Sequence, residues 1–233
     1  MRIGTEEINR AYQAITGEKR EKFELFRALL LEYNQKYNLT TILEEEEMLY
    51  KHFLDSVVGE KAFFSGAKVV EVGSGAGFPS IPLKIVREDL TFTLIESTGK
   101  KCEFLNVAVD KLNLKGVTVL NARAEDVGKR EETREKFDVC CARAVARMNT
   151  LAEYCMPLVK KGGFFVAYKG LAEEELKESE KALKVLGGGK TEKVSYSLPN
   201  GYGERTIIVV QKVENTPQKY PRGNGKERKS PIL

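Results

Sequence analysis

Lys68-Val69-Val70-Glu71-Val72-Gly73-Ser74-Gly75-Ala76-Gly77-Phe78 is the stretch from which the fold of this chain can be read. Lys68 to Val72 is a short valine-rich run that stops at a glycine cluster, the pattern of a buried parallel strand. Pro79 and an apolar stretch from Ile81 to Val86 follow, and these open a helix. Strand, glycine turn and helix N-terminus in succession present bare backbone N–H groups to a ligand. The dinucleotide fingerprint G-x-G-x-x-G is one residue longer than the G-x-G-x-G spacing found here. Glu71, two residues before the first glycine, suits a ligand with positive charge or hydrogen-bond donors better than a pyrophosphate. From the loop alone, a glycine-rich turn with no ligand is the other reading.

Length and composition bound what surrounds this loop. A chain of 233 residues, 42% hydrophobic and 31% charged, reads as one globular domain with an appendage. No apolar run approaches the roughly 20 residues of a membrane span. The N-terminus, M-R-I-G-T-E-E-I-N-R, has no apolar signal region, so a cytoplasmic location is expected. Cys102, Cys140, Cys141 and Cys155 show no C-x-x-C spacing and read as buried free thiols, not as a metal site. The net charge is +4, and the segment from Lys212 to Leu233 carries six basic residues against two acidic ones. The excess is therefore concentrated in a tail containing Pro217, Pro221, Gly223 and Gly225. Such a tail either contacts a polyanion such as RNA or is simply solvated.

Upstream of the loop the pattern is helical. Residues 5–15 carry a weak helix signal, and Glu18 to Tyr37 a stronger one. Phe23, Phe26, Leu30, Tyr33 and Tyr37 recur at steps of three and four and draw one apolar stripe, so the tyrosines read as packing residues. Thr41 with Glu44 reads as a capping box that starts a second helix through about Phe64. His52, the one histidine, lies in H-F-L-D-S (His52 to Ser56). A lone helical histidine is more often a packed or capping residue than a catalyst, and the sequence does not decide its role or that of Asp55.

Downstream, Thr91 to Ile95 reads as a second strand ending in Glu96. An acidic residue at this tip can accept both hydrogen bonds of a ribose diol. Ser97-Thr98-Gly99-Lys100-Lys101 starts a helix to about Leu112, and Val117 to Leu120 is a third strand followed by Asn121 to Asp126. Phe137 to Ala142 is a fourth strand, with Arg143 at its tip, where ligand and substrate meet in folds of this kind. A helix (about Ala146 to Val159), a turn (Lys160 to Gly163), a strand (Phe164 to Tyr168) and a charged helix (about Ala172 to Leu186) follow. The ending, Thr191 to Leu198 and Arg205 to Val213, reads as a hairpin. An α/β fold is expected, with a parallel sheet and one antiparallel strand inserted near its edge.

The E-x-G-x-G-x-G pattern resembles motif I of the S-adenosylmethionine (SAM) methyltransferases, and the succession of strands and helices resembles their Rossmann-like, seven-stranded plan. The match narrows further along the chain. Y-N-L-T (Tyr37 to Thr40), H-F-L-D-S, V-G-S-G-A-G-F-P-S-I-P-L (Val72 to Leu83) and E-S-T-G-K-K (Glu96 to Lys101) resemble the RsmG/GidB family of bacterial 16S rRNA methyltransferases. R-A-V-A (Arg143 to Ala146), Lys169-Gly170, R-T-I-I-V-V from Arg205, Y-P-R and K-S-P-I-L extend the likeness almost end to end. The chain departs from that family in having Glu71 where aspartate is usual. It also lacks the proline usual between the tail's glycine and its K-S-P ending.

The resemblance implies SAM-dependent methylation of guanine N7 in a decoding-region loop of 16S rRNA, on free RNA or a 30S particle, by a monomer needing neither metal nor membrane. It implies a helical extension (1–65) packed on a SAM-binding core (66–213), then a basic tail (214–233). Gly73, Gly75, Gly77 and Phe78 would face the amino-acid end of SAM, with Glu71 as indirect electrostatic support. Glu96, Ser97 and Thr98 would hold the ribose, and Ala124 and Glu125 would border the adenine. Arg143 would stand at the cofactor–substrate boundary, and no residue is assigned as a catalytic acid or base. Lys169, Arg205, Lys219 and Arg222 are candidates for RNA phosphate contacts. Two other readings are an NAD-dependent oxidoreductase, disfavoured by the glycine spacing, and an RNA-binding protein with a vestigial SAM loop.

Overall fold

The computed structural model describes residues 2–233. Helices α1 (Thr5–Thr16) and α2 (Arg20–Tyr37) lead into a short helical run: α3 (Glu45–Met48), a π-helical turn (Leu49–Leu54) and α4 (Asp55–Val57). Then come β1 (Lys68–Val72), α5 (Ser80–Val86), β2 (Thr91–Glu96), α6 (Gly99–Lys111), β3 (Val117–Asn121), α7 (Ala124–Val127), β4 (Phe137–Arg143) and α8 (Met148–Cys155). The chain ends with β5 (Val159–Lys169), α9 (Glu173–Val185), β6 (Gly188–Leu198), β7 (Gly203–Lys212) and α10 (Lys226–Lys229). The seven strands form one sheet in the order β3-β2-β1-β4-β5-β7-β6. Pairs among the first five are parallel, and β7 is antiparallel to both β5 and β6. This is the SAM-dependent methyltransferase fold expected from the alternation of strands and helices.

Because helices cover both faces, the central strands are largely apolar, with the buried Glu71 of β1 the exception in that strand's interior. Alternate residues enter opposite layers: Val69, Val139 and Cys141 pack under α2, α5 and α6, while Val70, Val72, Cys140 and Ala142 pack under α8 and α9. The α2 stripe accounts for the first layer. Phe26 is fully buried and its ring lies 5.5 Å from that of Phe78 and 6.3 Å from that of Phe104, while Tyr33 meets Phe104 at 5.7 Å. All four cysteines are buried and free.

Three local expectations are corrected. The Thr41/Glu44 capping box does not form: the helix begins at Glu45, and no side chain caps it. Thr40, not Thr41, is the structural threonine, because its hydroxyl accepts from the Ile42 N–H at 3.0 Å and pairs with His52 at 2.8 Å. The single helix expected through Phe64 runs on through the π-helical turn but stops after Val57, and a separate 3-10 turn (Glu60–Ala62) follows Gly59. Lys160 to Gly163, read as a turn, is instead the irregular start of β5. The register against β4 shifts there, Gly162 adopts φ +86°, and a Cβ on Gly163 would lie 2.4 Å from the Asp138 carbonyl oxygen.

Candidate functional site

The C-terminal ends of β1, β2 and β3 open onto one polar cleft of about 650 Å³. The glycine loop that follows β1 is tied to β2 by Gly73 and Ser74 N–H groups, which both donate to the Ile95 carbonyl, at 2.9 and 3.1 Å. Gly73 has φ +69°, and a Cβ there would lie 2.7 Å from a Val145 methyl, so β-carbons are excluded by backbone and by packing alike. Glu96 locks the next turn: one carboxylate oxygen accepts the Gly75 N–H at 2.9 Å and the other the Thr98 N–H at 2.8 Å. A carboxylate has about four lone-pair sites, so each oxygen retains one for a ligand. Glu96 is thus both a loop clamp and a candidate acceptor.

Gly73, Ser97, Ala124 and Glu125 line the cleft together, with Ala122, Arg123, Asp126, Val145 and Tyr154. Gly75, Glu96 and Thr98, expected to touch the cofactor, are not among the lining residues; hydrogen bonds join them to one another beside Ser97. Gly77 and Phe78, expected at the cofactor's amino-acid end, do not line the cleft. A Cβ on Gly77 would meet Ile81 at 2.5 Å and Leu105 at 3.2 Å, so this glycine serves helix packing. Phe78 is buried beneath α2 and stacks on His52 with ring centroids 4.3 Å apart.

Glu71 precedes Val72, which lines the cleft, but does not line it itself. It is fully buried, and neither carboxylate oxygen has a hydrogen-bond partner. Burial raises its pKa to about 8, against the opposing pull of Ser80 and the Arg143 charge. The expected electrostatic support is therefore a predominantly neutral carboxylic acid near pH 7.

Arg143, at the tip of β4, points away from the cleft into a network the sequence did not disclose. Its guanidinium donates to Asp55 Oδ2 at 3.0 Å and meets His52 Nδ1 at 3.1 Å, with its carbon 4.9 Å from the Phe78 ring centre. Tyr196 donates to Asp55 Oδ1 at 2.8 Å. Because a guanidinium only donates, His52 Nδ1 accepts, and Nε2–H is left to donate to Thr40 Oγ1. Burial, then the Arg143 charge, lowers the His52 pKa to about 3. His52 and Asp55 are three residues apart on one continuous helical run and so share a face. H-F-L-D-S marked the spot, but the partners Arg143 and Tyr196 come from distant strands.

Two of the proposed RNA-contacting cations are occupied internally. Lys169 donates to the Ala146 carbonyl and to Glu175 Oε2, each at 2.7 Å, and its side chain is largely buried. Arg222 is forked onto the buried Glu153, with 2.7 Å between Arg222 NH2 and Glu153 Oε2. Arg205 lies 3.5 Å from Asp55. Lys219 is exposed and sits over the Tyr220 ring. The tail is anchored on α8 through Tyr220 and Glu227, its Asn224, Gly225, Arg228 and Lys229 line the cleft, and Lys219, Lys226, Arg228 and Lys229 stay exposed. Among the described residues no helix is long and apolar enough to cross a membrane.

Residues 19–206 match the family model of GidB, rRNA small subunit methyltransferase G. The Lactobacillus acidophilus ribosomal RNA small subunit methyltransferase G is 47% identical over 232 residues, covering 97% of this chain and 96% of that one. Its counterpart from Lachnoclostridium phytofermentans is also 47% identical, over 91% of this chain and 89% of its own length. Among solved structures, a SAM-dependent O-methyltransferase from Thermotoga maritima superposes with a TM-score of 0.54 at 15% identity, over 81% of this chain and 73% of that one. That likeness speaks to the fold, whereas the near full-length identities speak to the family. The chain belongs to the GidB family, the rRNA small subunit methyltransferases G.

Proposed function

We propose that this chain transfers a methyl group from SAM to N7 of a guanine in a decoding-region loop of 16S rRNA. The observation that carries this reading is the cleft itself. Gly73, Ser97, Ala124 and Glu125 converge on it, and the glycine loop beside it is clamped by Glu96. The cleft fits the cofactor: it is polar, large enough for a nucleoside with an amino-acid arm, and carries acidic acceptors for a ribose and an amine. Glu96 and Ser97 would take the ribose, Ala124 and Glu125 the adenine edge, and the Gly73–Gly75 backbone the amino-acid arm. When bound, SAM supplies a methyl group activated by its sulfonium centre.

Guanine N7 has an in-plane lone pair and no proton, so no side chain is required as a base. The geometry agrees with that requirement. His52 has both ring nitrogens engaged and is held neutral, which leaves it no role in taking up a proton. The chain's contribution is then positioning: the clamped loop on one side, and Arg143 holding the β4 tip on the other. Of the four cations, Lys219 remains the candidate for phosphate contact, since Arg205 pairs with the buried Asp55 and donates to the Glu204 carbonyl.

Transfer of labelled methyl from SAM to 30S particles lacking the modification tests this, with mass-spectrometric mapping of the labelled nucleotide. Gly73→Asp, which drives a side chain into Val145, is expected to abolish transfer. Equal labelling of particles already methylated at the mapped guanine would overturn the site assignment.

A further inference from the structure

The C-terminal segment is held down with an investment in buried polar contacts that a solvated tail would not have. Lys212, fully buried, donates to the Met156 carbonyl at 2.7 Å and to the Thr216 hydroxyl. Arg134 donates to the carbonyls of Thr216 at 2.7 Å and Tyr220 at 2.8 Å. Tyr220 packs in the core layer under α8. The Arg222–Glu153 fork follows, and Thr150 Oγ1 donates to the carbonyl of the buried Glu227 at 2.9 Å. These contacts steer Asn224, Gly225, Arg228 and Lys229 onto the cleft, where the other wall is Ala122 to Asp126.

Arg228 makes the contact that reaches the glycine loop. Its guanidinium donates to the Val145 carbonyl at 3.2 Å. The Val145 side chain in turn occupies the space over Gly73, 2.7 Å from where a Cβ would stand. Tail, β4–α8 turn and glycine loop are therefore in series. Of the tail's cations, Lys212 and Arg222 are paired with internal carboxylates, whereas Arg228 bonds only a neutral carbonyl and keeps its charge at the surface.

We propose that the segment Thr216–Lys229 is a wall of the cofactor site, with Arg228 the positioning residue that seats Val145 against the glycine loop. The ligand it serves is the adenosyl-bearing cofactor, and the inference rests on the SAM reading above. Without Arg228 the Val145 turn loses its tail-side anchor, and the loop it covers is free to shift.

Calorimetric titration of the full chain with SAM, on the unmodified protein, Arg228→Ala and Arg228→Lys, tests this. Arg228→Ala is expected to weaken SAM binding by roughly tenfold, the scale of one lost charge-assisted hydrogen bond. Arg228→Lys, which keeps a cationic donor, is expected to recover most of it. The KM for SAM should rise with kcat, the KM for 30S particles and the thermal midpoint unchanged, which a merely structural role would not produce. Hydrogen exchange on the unmodified protein should show amides of Tyr220 to Lys229 gaining protection when SAM is added. Unchanged SAM affinity in Arg228→Ala, a shift in the KM for particles alone, or no added protection in the tail overturns the proposal. Absence of SAM binding by the unmodified protein overturns the cofactor reading itself, and the wall with it.

Discussion

Replacing Glu71 by glutamine probes the buried carboxyl near the end of β1 directly. Burial moves its pKa from 4.5 to about 8, so between those values the folded chain keeps a proton that the unfolded chain gives up. Stability contributed by this position is therefore greatest below pH 4.5, falls as pH rises, and levels off above pH 8. The slope is about 1.4 kcal/mol per pH unit, and the loss over the whole window is roughly 4–5 kcal/mol as an upper figure. Glu71→Gln keeps the volume and cannot ionise. Its amide brings a pH-independent cost of about 1–3 kcal/mol where it lacks partners. Urea unfolding at several pH values between 5 and 8 separates the two terms. The offset is constant, whereas the stability of the variant relative to the unmodified chain should climb steadily with pH. Parallel stability curves for the two proteins would refute the claim that Glu71 is buried as a neutral acid.

Two further outcomes follow from the same structure. His52 is the one histidine in the chain, and with its pKa lowered to about 3 its imidazole resonances should not titrate between pH 5 and 8. A midpoint near 6.5 would refute the Arg143 contact; by linkage, the stability His52 contributes is present above pH 6.5 and is lost as pH falls toward 3. Gly77→Ala places a Cβ 2.5 Å from Ile81 at φ +87°, and should cost roughly 2–3 kcal/mol by thermal or urea unfolding. An unchanged midpoint would show that the α5 packing is looser than the geometry implies.

Elements whose signal is local were readable from residues alone. The Lys68–Phe78 strand and turn, the α2 stripe and the acidic tip at Glu96 each depend on neighbours within a few positions, and each took the expected form. What escaped depends on contacts between distant segments. His52 has partners in Thr40 and Arg143, and Asp55 in Arg143 and Tyr196; no periodicity links β4 and β6 to a helix near the N-terminus. Lys169 and Arg222 read as free cations because their partners Glu175 and Glu153 are set by packing, not by spacing. Gly77 was grouped with Gly73 and Gly75 because a glycine needed for a ligand and one needed for a leucine look alike in sequence. The tail misled for a related reason: its proline and glycine content signals irregular backbone, which is as compatible with a packed strap as with a solvated one.

The short turn after β4 has a consequence for how the enzyme assembles. Arg143 is held by Asp55, 88 positions earlier; the Val145 carbonyl by Arg228, 83 positions later; and the Ala146 carbonyl by Lys169. Contacts spanning such separations close late, because the entropy of the intervening chain must be lost before they form. The sheet's centre carries similar separations, since Val69 of β1 pairs with Val139 of β4, so the turn beside the glycine loop closes on the same terms as the β1–β4 pairing. Competence to bind the methyl donor should therefore arise together with the completed sheet, in the same cooperative step.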